Sequence, residues 1–330
     1  MLASCGTAPE SSATTIALAT STASPISPVP SSEAAKTTLP ITLPRASPPA
    51  TSAPLSTSTC AAVRFPMVVN GRSMTIEIPS TTRPSPIVVA IHGYKGTPEG
   101  LERYSGLSML AATGDALVVY PPGSPLDLGF GWNSGSAKFA TKSGDDVAVI
   151  ADVLTAALAF PCADAERVFL VGESNGGGMA LRAACDSRLS ERVSGVILVN
   201  AAVDAGVLSS CSTVASPVNL FAVAGLEDSV VPYDGSRQPF VAAETWFSAA
   251  AQSLAGCSDG YESTVALSST AEAHVAAGCA ACAVLVSLTD GGHTWPGAAE
   301  GVNGAHPGTF ALTERLHEAI LADENVCALA

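Results

Sequence analysis

Short apolar runs alternate with longer, partly polar stretches from residue 60 onward. The alternation of strand-like and helix-like segments predicts an α/β domain with a mostly parallel central sheet and helices on both faces. The predicted strands are 87–91, 116–120, 167–171, 196–200, 218–223 and 284–288. The predicted helices are 98–112, 145–160, a segment ending near 186, 240–254 and 308–322.

The start of this region has a second pattern. Residues 60–80 predict two strands joined at Asn70-Gly71, a dipeptide typical of tight hairpin turns. The run 87–91 is entirely apolar, as in a strand that is covered on both faces. A Gly/Pro-rich loop is expected over 121–143. We find no internal repeat of 20–50 residues.

Residues 1–59 differ in composition from the rest. Forty-three of them are Ser, Thr, Ala or Pro, four are charged, and the first aromatic residue of the chain is Phe65. Such a segment cannot bury enough apolar surface to offset the entropy of ordering its backbone. We therefore expect a flexible stalk over 1–59, a poorly patterned subdomain being the alternative. The remaining 271 residues, 60–330, fit one larger domain.

The stalk begins with Met1-Leu2-Ala3-Ser4-Cys5, which resembles the end of a bacterial lipoprotein signal. The charged and apolar regions of such a signal would lie upstream, and the sequence does not contain them. We expect a secreted protein or a cell-surface lipoprotein that carries a lipid anchor at Cys5.

Charge narrows the range of functions. The chain has 15 Lys and Arg against 29 Asp and Glu, a net charge of −14. So few scattered cations do not predict a basic face, and nucleic acid is therefore not expected as a partner. The sequence has no apolar run of the roughly 18 residues typical of a membrane span.

One pentapeptide points to nucleophilic catalysis. Gly172-Glu173-Ser174-Asn175-Gly176 matches the pattern G-x-S-x-G, and it directly follows a predicted strand and precedes a predicted helix. Small residues allow a sharp turn there, which would lift the Ser174 hydroxyl above the sheet. A plain Gly-rich turn is the alternative. The nucleophile also needs oxyanion donors, and we expect the backbone N–H groups of Asn175 and Tyr94 in that role.

A nucleophilic serine requires a base and an orienting carboxylate. His293 is the candidate base because it lies in a glycine-rich loop directly after a predicted strand. The candidate acid is Asp228, which follows another strand and gives the chain order Ser, Asp, His. Position alone leaves three rivals for the acid, namely Asp204, Glu227 and Asp290.

Taken together, these pieces resemble the α/β-hydrolase esterases that include poly(3-hydroxybutyrate) depolymerases, feruloyl and acetylxylan esterases, and actinobacterial esterase lipoproteins. The matching segments are Ile91-His92-Gly93-Tyr94, Gly131-Trp132-Asn133, Asp145-Asp146-Val147, Gly172–Gly177, Asp228 with Val231-Pro232-Tyr233, and Gly292–Gly297. The resemblance implies the α/β-hydrolase fold and a Ser174–His293–Asp228 triad, and it favours Asp228 over its rivals. It also implies that Trp132 and Trp295 line the substrate pocket.

The expected activity is therefore ester hydrolysis through an acyl-enzyme, with no metal and no organic cofactor. The substrate would be a small, oligomeric or polymeric ester, such as a hydroxyalkanoate or a feruloyl or acetyl ester of plant polysaccharide. An acyltransferase with the same triad, a peptidase and a non-catalytic binding protein are the alternatives. We expect a monomer.

The cysteines agree with export. Apart from Cys5 there are eight, enough for four disulfides. We expect Cys185 to pair with Cys211, and Cys257 to pair with Cys279 or Cys282. A zinc or redox motif at Cys279 and Cys282 is disfavoured, since a second ligand pair at metal spacing is absent from the sequence.

Overall fold

The computed structural model describes residues 59–139, 144–258, 260–301, 304–321 and 327. Nearly all of the predicted stalk, together with Cys5, lies outside the described residues. The stalk, the lipid anchor and the domain boundary at residue 60 therefore stay predictions.

A ten-stranded sheet runs through the described part of the chain in the order β1-β2-β4-β3-β7-β8-β9-β12-β11-β10. The six central strands, from β4 to β12 in that order, are mutually parallel, and the pairs at both ends are antiparallel. The strands of this sheet are β1 (Val63–Val69), β2 (Arg72–Ile78), β3 (Ser85–Ile91), β4 (Leu117–Tyr120), β7 (Ala163–Glu173), β8 (Gly195–Val199), β9 (Asn219–Gly225), β10 (Tyr261–Ala266), β11 (Ala271–Ala276) and β12 (Ala283–Leu288). This confirms the mostly parallel sheet and the hairpin at Asn70-Gly71.

The helices are α1 (Pro98–Ser105), α2 (Ser108–Ala112), α3 (Asp146–Leu158), α4 (Asn175–Cys185), α5 (Ala205–Ser209), α6 (Ala243–Ala250) and α7 (Leu312–Leu321). A π-helical turn, Ala251–Ala255, extends α6. The single helix predicted over 98–112 is wrong, because Gly106 adopts a left-handed conformation with φ of 67° and ends α1. None of the described helices is long and apolar enough to cross a membrane.

Apolar side chains of the central strands point alternately to two separate cores. In β3, Ile87, Val89 and Ile91 belong to the core that contains α3 and α4. Val88 and Ala90 point to the opposite core, which contains residues of α1 and α7. A strand buried on both faces needs apolar residues at every position, which explains the continuous apolar run seen in the sequence.

The Gly/Pro-rich segment after β4 is more structured than its composition suggests. It contains a two-stranded hairpin, β5 (Ser124–Pro125) and β6 (Phe130–Gly131), and a short 3-10 turn, Ala137–Phe139. Asp146, at the start of α3, anchors this segment: one carboxylate oxygen accepts from Arg72 and Ser124, and the other accepts from the Asn133 N–H at 2.7 Å. The buried carboxylate thereby ties the loop to the edge of the sheet.

Four disulfides connect elements of the domain: Cys60–Cys162, Cys185–Cys211, Cys257–Cys279 and Cys282–Cys327. The pairing of Cys185 with Cys211 is confirmed, and of the two partners considered for Cys257 the structure has Cys279. Cys279 and Cys282 lie in different disulfides, so neither offers a thiolate to a metal. Four bridges in one domain fit an oxidising compartment.

Candidate active site

Ser174 stands on a sharp turn between β7 and α4, at the carboxyl edge of the parallel strands. Its backbone has φ of 54° and ψ of −119°, a sparsely populated conformation for a residue with a side chain. The turn is possible because two glycines allow backbone segments to touch. A Cβ on Gly172 would lie 2.2 Å from the Gly176 carbonyl oxygen, and a Cβ on Gly176 would lie 2.1 Å from that of Ile91.

Three polar side chains form a continuous hydrogen-bonded chain. The Ser174 hydroxyl donates to Nε2 of His293 at 2.9 Å, and Nδ1 of the same ring donates to a carboxylate oxygen of Asp228 at 2.6 Å. The second Asp228 oxygen accepts from the N–H groups of Val230 and Val231, each at 2.8 Å. Both carboxylate oxygens are therefore held, which fixes the orientation of the imidazole.

Asp228, and none of its three rivals, is the carboxylate that His293 Nδ1 contacts in the structure. Asp204 is the N-cap of α5, where it accepts from the Gly206 and Val207 N–H groups and from Ser136. Asp290 accepts from the backbone N–H and the hydroxyl of Thr309. Glu227 is exposed.

Sequence reasoning missed Asn200, which positions the histidine loop. It directly follows β8, has φ of 44°, and is buried. Its side-chain amide donates to the carbonyl oxygens of Gly292 and Thr294, on both sides of His293, and its Oδ1 accepts from the Gly225 N–H. A polar residue directly after a buried apolar strand is the only signal in the sequence that could have indicated this role.

The two residues expected to supply oxyanion donors lie in segments that adjoin the nucleophile. Asn175 is the first residue of α4, where the N–H has no acceptor within the helix. Tyr94 lies in the loop after β3, and its neighbour Gly93 packs so closely that an added Cβ would be 3.3 Å from Ser174 Cβ. The Asn175 side chain accepts from the Trp132 N–H at 2.8 Å and so joins the helix to the anchored loop. This arrangement suits a negative charge next to Ser174.

His92 supports the same loop as a neutral ring. Burial lowers its pKa to about 4. Its Nδ1 donates to the Gly93 carbonyl at 2.8 Å, and its Nε2 accepts from the Gly123 N–H at 3.0 Å. Both ring nitrogens are thus occupied, and His92 is not available for proton transfer at the site.

Glu173 is a second buried carboxyl beside the site. It precedes the nucleophile, and the hydroxyl of Tyr104 in α1 donates to its Oε2. Burial raises the pKa of Glu173, and the charge of Asp228 adds to this, whereas His293 and Tyr104 oppose it.

The pKa of His293 is raised. Burial acts to lower it, but the hydrogen bond to Asp228, the charge of Asp228 and the charge of Glu173 together have the larger effect. Negative charge on two sides of the ring thus stabilises the imidazolium, the state that a general base passes through.

The two tryptophans expected in the substrate pocket belong to the core, and that prediction needs correction. Trp132 is 0% exposed and donates its indole N–H to the His92 carbonyl; Trp295 is 1% exposed and donates to the Thr313 hydroxyl. Because each indole N–H has a partner inside the protein, the rings can be buried completely. They hold the loops that carry the site and have almost no surface for a ligand.

Three aromatic side chains adjoin the site: Tyr94 is exposed, whereas Phe139 and Phe240 are buried. The ring of Tyr94, 40% exposed, lies 4.9 Å from that of Phe139, which lies 6.2 Å from Phe240. Phe139 and Phe240 pack with Ala202 and Val231, and the Ala202 N–H donates to the Ser174 carbonyl at 2.9 Å. We call Tyr94, Phe139 and Phe240 the aromatic row.

No family model matches the chain, but individual proteins are similar to it. A protein of Aspergillus niger named "Probable feruloyl esterase C" is 28% identical over 176 residues, which cover 51% of this chain and 58% of the fungal protein. Feruloyl esterase C of Emericella nidulans is 27% identical with the same coverage. The chain thus spans less than two thirds of the length of these relatives.

The solved structures show the fold. The acetyl xylan esterase from Aspergillus awamori superimposes with a TM-score of 0.51 and 18% identity, over 71% of this chain and 94% of that one. The chain has the α/β-hydrolase fold, and over about half of its length it is similar in sequence to feruloyl esterases.

Proposed function

We propose that this protein is a serine ester hydrolase that works through an acyl-enzyme. The observation that carries the proposal is the hydrogen-bonded chain from Ser174 through His293 to Asp228, with distances of 2.9 and 2.6 Å. A serine hydroxyl is a weak nucleophile on its own, and it becomes reactive when an oriented imidazole can take its proton.

In the first step, Ser174 Oγ attacks the ester carbonyl carbon and its proton passes to His293 Nε2. The carbonyl oxygen becomes an oxyanion between the N–H groups of Tyr94 and Asn175. Asp228 stabilises the imidazolium through Nδ1 without taking its proton. His293 then gives its proton to the leaving alkoxide, so the alcohol departs and the acyl group remains on Ser174.

In the second step, water takes the place of the alcohol. His293 removes a proton from the water as its oxygen attacks the acyl carbonyl, and the same two N–H groups bind the new oxyanion. Collapse of this intermediate breaks the bond to Ser174, whose oxygen recovers the proton from His293. The products are the carboxylic acid and the free enzyme.

The substrate class follows from the relatives and belongs to the proposal. Proteins named feruloyl esterase C are similar to this chain, which supports feruloyl or acetyl esters of plant polysaccharide. Hydroxyalkanoate esters are the second class that the sequence resemblance suggested. Such substrates are met outside the cell, and four disulfides support export to an oxidising compartment. The anchor at Cys5 would keep the enzyme at the cell surface.

A panel of esters tests the proposal. Methyl ferulate, 4-nitrophenyl acetate and a 3-hydroxybutyrate ester would be incubated with the full chain and with Ser174→Ala. We expect turnover of at least one ester by the native protein and loss of at least roughly a thousandfold in the variant. Native-level turnover by Ser174→Ala would overturn the mechanism, and transfer of the acyl group to an added alcohol in preference to water would indicate an acyltransferase.

A further inference from the structure

Three cationic side chains surround the aromatic row in an otherwise acidic protein. Lys95 Nζ lies 5.9 Å from the centre of the Tyr94 ring, and Lys138 Nζ lies 4.4 Å from that of Phe240. Arg237 donates from Nη1 to the carbonyl oxygens of Ser229 and Val230. We call Lys95, Lys138 and Arg237 the cationic rim. The chain as a whole has a net charge of −14, so this positive surface is a local exception.

Arg237 and Lys138 of the cationic rim lie close to segments that adjoin the triad. Arg237 is fixed against the loop that directly follows Asp228, since its two carbonyl acceptors belong to the next two residues. Lys138 precedes Phe139, which packs with Ala202 beside Ser174. A substrate held at Ser174 that extends past the exposed ring of Tyr94 toward Lys138 would therefore reach the rim.

Two cations of the rim have no ion-pair partner among the described residues. Within residues 59–139, 144–258, 260–301 and 304–321, Lys138 and Arg237 form no ion pair, whereas Arg64, Arg72 and Arg188 each bind a carboxylate. Asp234, on the same loop as Arg237, accepts instead from the Ser236 N–H.

The charge of Arg237 also acts on Lys138. Burial and the charge of Arg237 lower the pKa of Lys138, which indicates that like charges lie close together. Cations that lie close together and form no ion pair within the described residues raise the local potential and favour an anionic ligand.

We propose that Lys138 and Arg237 of the cationic rim bind a carboxylate carried by the ester substrate, at the Phe240 end of the aromatic row. The substrate would then be a half-ester of a dicarboxylic acid or an ester of an acidic sugar. Both kinds of substrate contain an ester group and a carboxylate, separated by an apolar chain or by a sugar ring. Arg237 could bind the carboxylate through N–H groups other than Nη1, with Lys138 as a second charge. This inference rests on the proposed ester hydrolysis.

Matched substrates test the proposal. On the acyl side, the 4-nitrophenyl half-ester of adipic acid is compared with the ester in which the free carboxylate is a carboxamide. On the alcohol side, acetylated galacturonic acid is compared with its amide. At low salt we expect kcat/KM to favour the carboxylate in one pair by roughly fivefold, because each exposed ion pair contributes about a two- to fivefold effect. The preference should decline as sodium chloride is raised to about 0.5 M.

Variants locate the effect. Lys138→Met keeps an aliphatic side chain over Phe240 but removes the charge, and Arg237→Gln keeps hydrogen-bonding capacity. We expect the double variant to lower the carboxylate-to-carboxamide ratio to about 1. The matched control is Arg83→Gln, an exposed cation just before β3. It lies at the amino end of the parallel strands, whereas the site lies at their carboxyl end. It changes the net charge by one unit and should leave the ratio as it is.

The possible results separate this proposal from the proposed function. Equal kcat/KM for both members of each pair at low salt, or an unchanged ratio in the double variant, would overturn the cationic rim as a binding site while leaving ester hydrolysis intact. Absence of turnover for every ester would overturn the proposed function, and this inference with it.

Discussion

The contact between Gly176 and the end of β3 couples stability to activity and gives a sharp prediction. A Cβ at Gly176 would lie 2.1 Å from the Ile91 carbonyl oxygen and 2.5 Å from that of His92. Ordinary contacts begin at 3.4 Å, and both obstructing atoms belong to the backbone. Gly176→Ala must therefore separate α4 from β3 by roughly 1 Å, an overpacking change that costs about 3 kcal/mol, the upper end of the usual range, because both obstructing atoms are backbone.

The same displacement should affect the chemistry. The two candidate oxyanion donors lie on opposite sides of this contact, Asn175 on α4 and Tyr94 after β3. Separating them weakens their joint hold on the oxyanion, and loss of one such donor typically costs about 10²- to 10³-fold in rate. For a domain of this size, a destabilisation of about 3 kcal/mol lowers Tm by roughly 6–12 °C. We therefore expect both Tm and kcat to fall in Gly176→Ala.

Gly144→Ala is the matched control. A Cβ there meets nothing within 4 Å, and the glycine does not have a positive φ. The same chemical change should leave kcat as it is and alter stability by less than about 1 kcal/mol, toward greater stability if at all. Circular dichroism gives Tm, and 4-nitrophenyl acetate hydrolysis gives kcat. A Gly176→Ala protein with native kcat and a Tm within 2 °C of the native value would contradict this prediction. For a domain of this size, a loss of 1 kcal/mol lowers Tm by about 2–4 °C.

Four further predictions concern the triad, the neighbouring Glu173 and one disulfide. Asp228→Asn should fold but lose about 10⁴-fold in kcat, because the imidazole would adopt the wrong tautomer; undiminished turnover would contradict the assigned role. His293 must be neutral to act as a base, and its pKa is raised above the ordinary value of 6.5. We therefore expect kcat/KM to decline as the pH is lowered through this raised pKa, and a pH–rate profile measures where the decline occurs. Glu173→Gln removes a charge that raises the pKa of His293 and should move the decline in kcat/KM to lower pH. A decline at the native pH would mean that Glu173 does not act on the imidazole. Replacing Cys60 and Cys162 by serine opens a bridge with a sequence separation of 102 and should cost about 3–5 kcal/mol in urea unfolding, whereas a loss below 1 kcal/mol would show that the bridge contributes little.

The central sheet and the serine turn were predictable because local signals agree there. A run of apolar residues, 168–171, leads directly into glycines around Ser174, so strand, turn and helix can each be identified from neighbouring residues. The outer hairpin of β10 and β11 was not predicted. Most residues of β10 are exposed, so the strand lacks the apolar alternation that identifies a half-buried strand.

Long-range hydrogen bonds account for what the sequence could not show about the site. Trp132 and Trp295 can be buried because their indole N–H groups meet partners 40 and 18 residues away in the chain. Asn200 reaches the backbone around His293, more than 90 residues further along. Such partners depend on how loops meet at the sheet edge, which no local pattern encodes.

Covalent labelling gives the sharpest test of whether Ser174 is a nucleophile activated by His293. The native protein would be incubated with an alkyl fluorophosphonate, digested and analysed by mass spectrometry. The account predicts one adduct per chain, located on Ser174, with parallel loss of ester turnover. It also predicts that labelling is lost in Ser174→Ala and strongly slowed in His293→Ala, because the hydroxyl depends on the imidazole for its reactivity. An unlabelled Ser174 in a folded protein, or an adduct on another residue together with full loss of turnover, would contradict it.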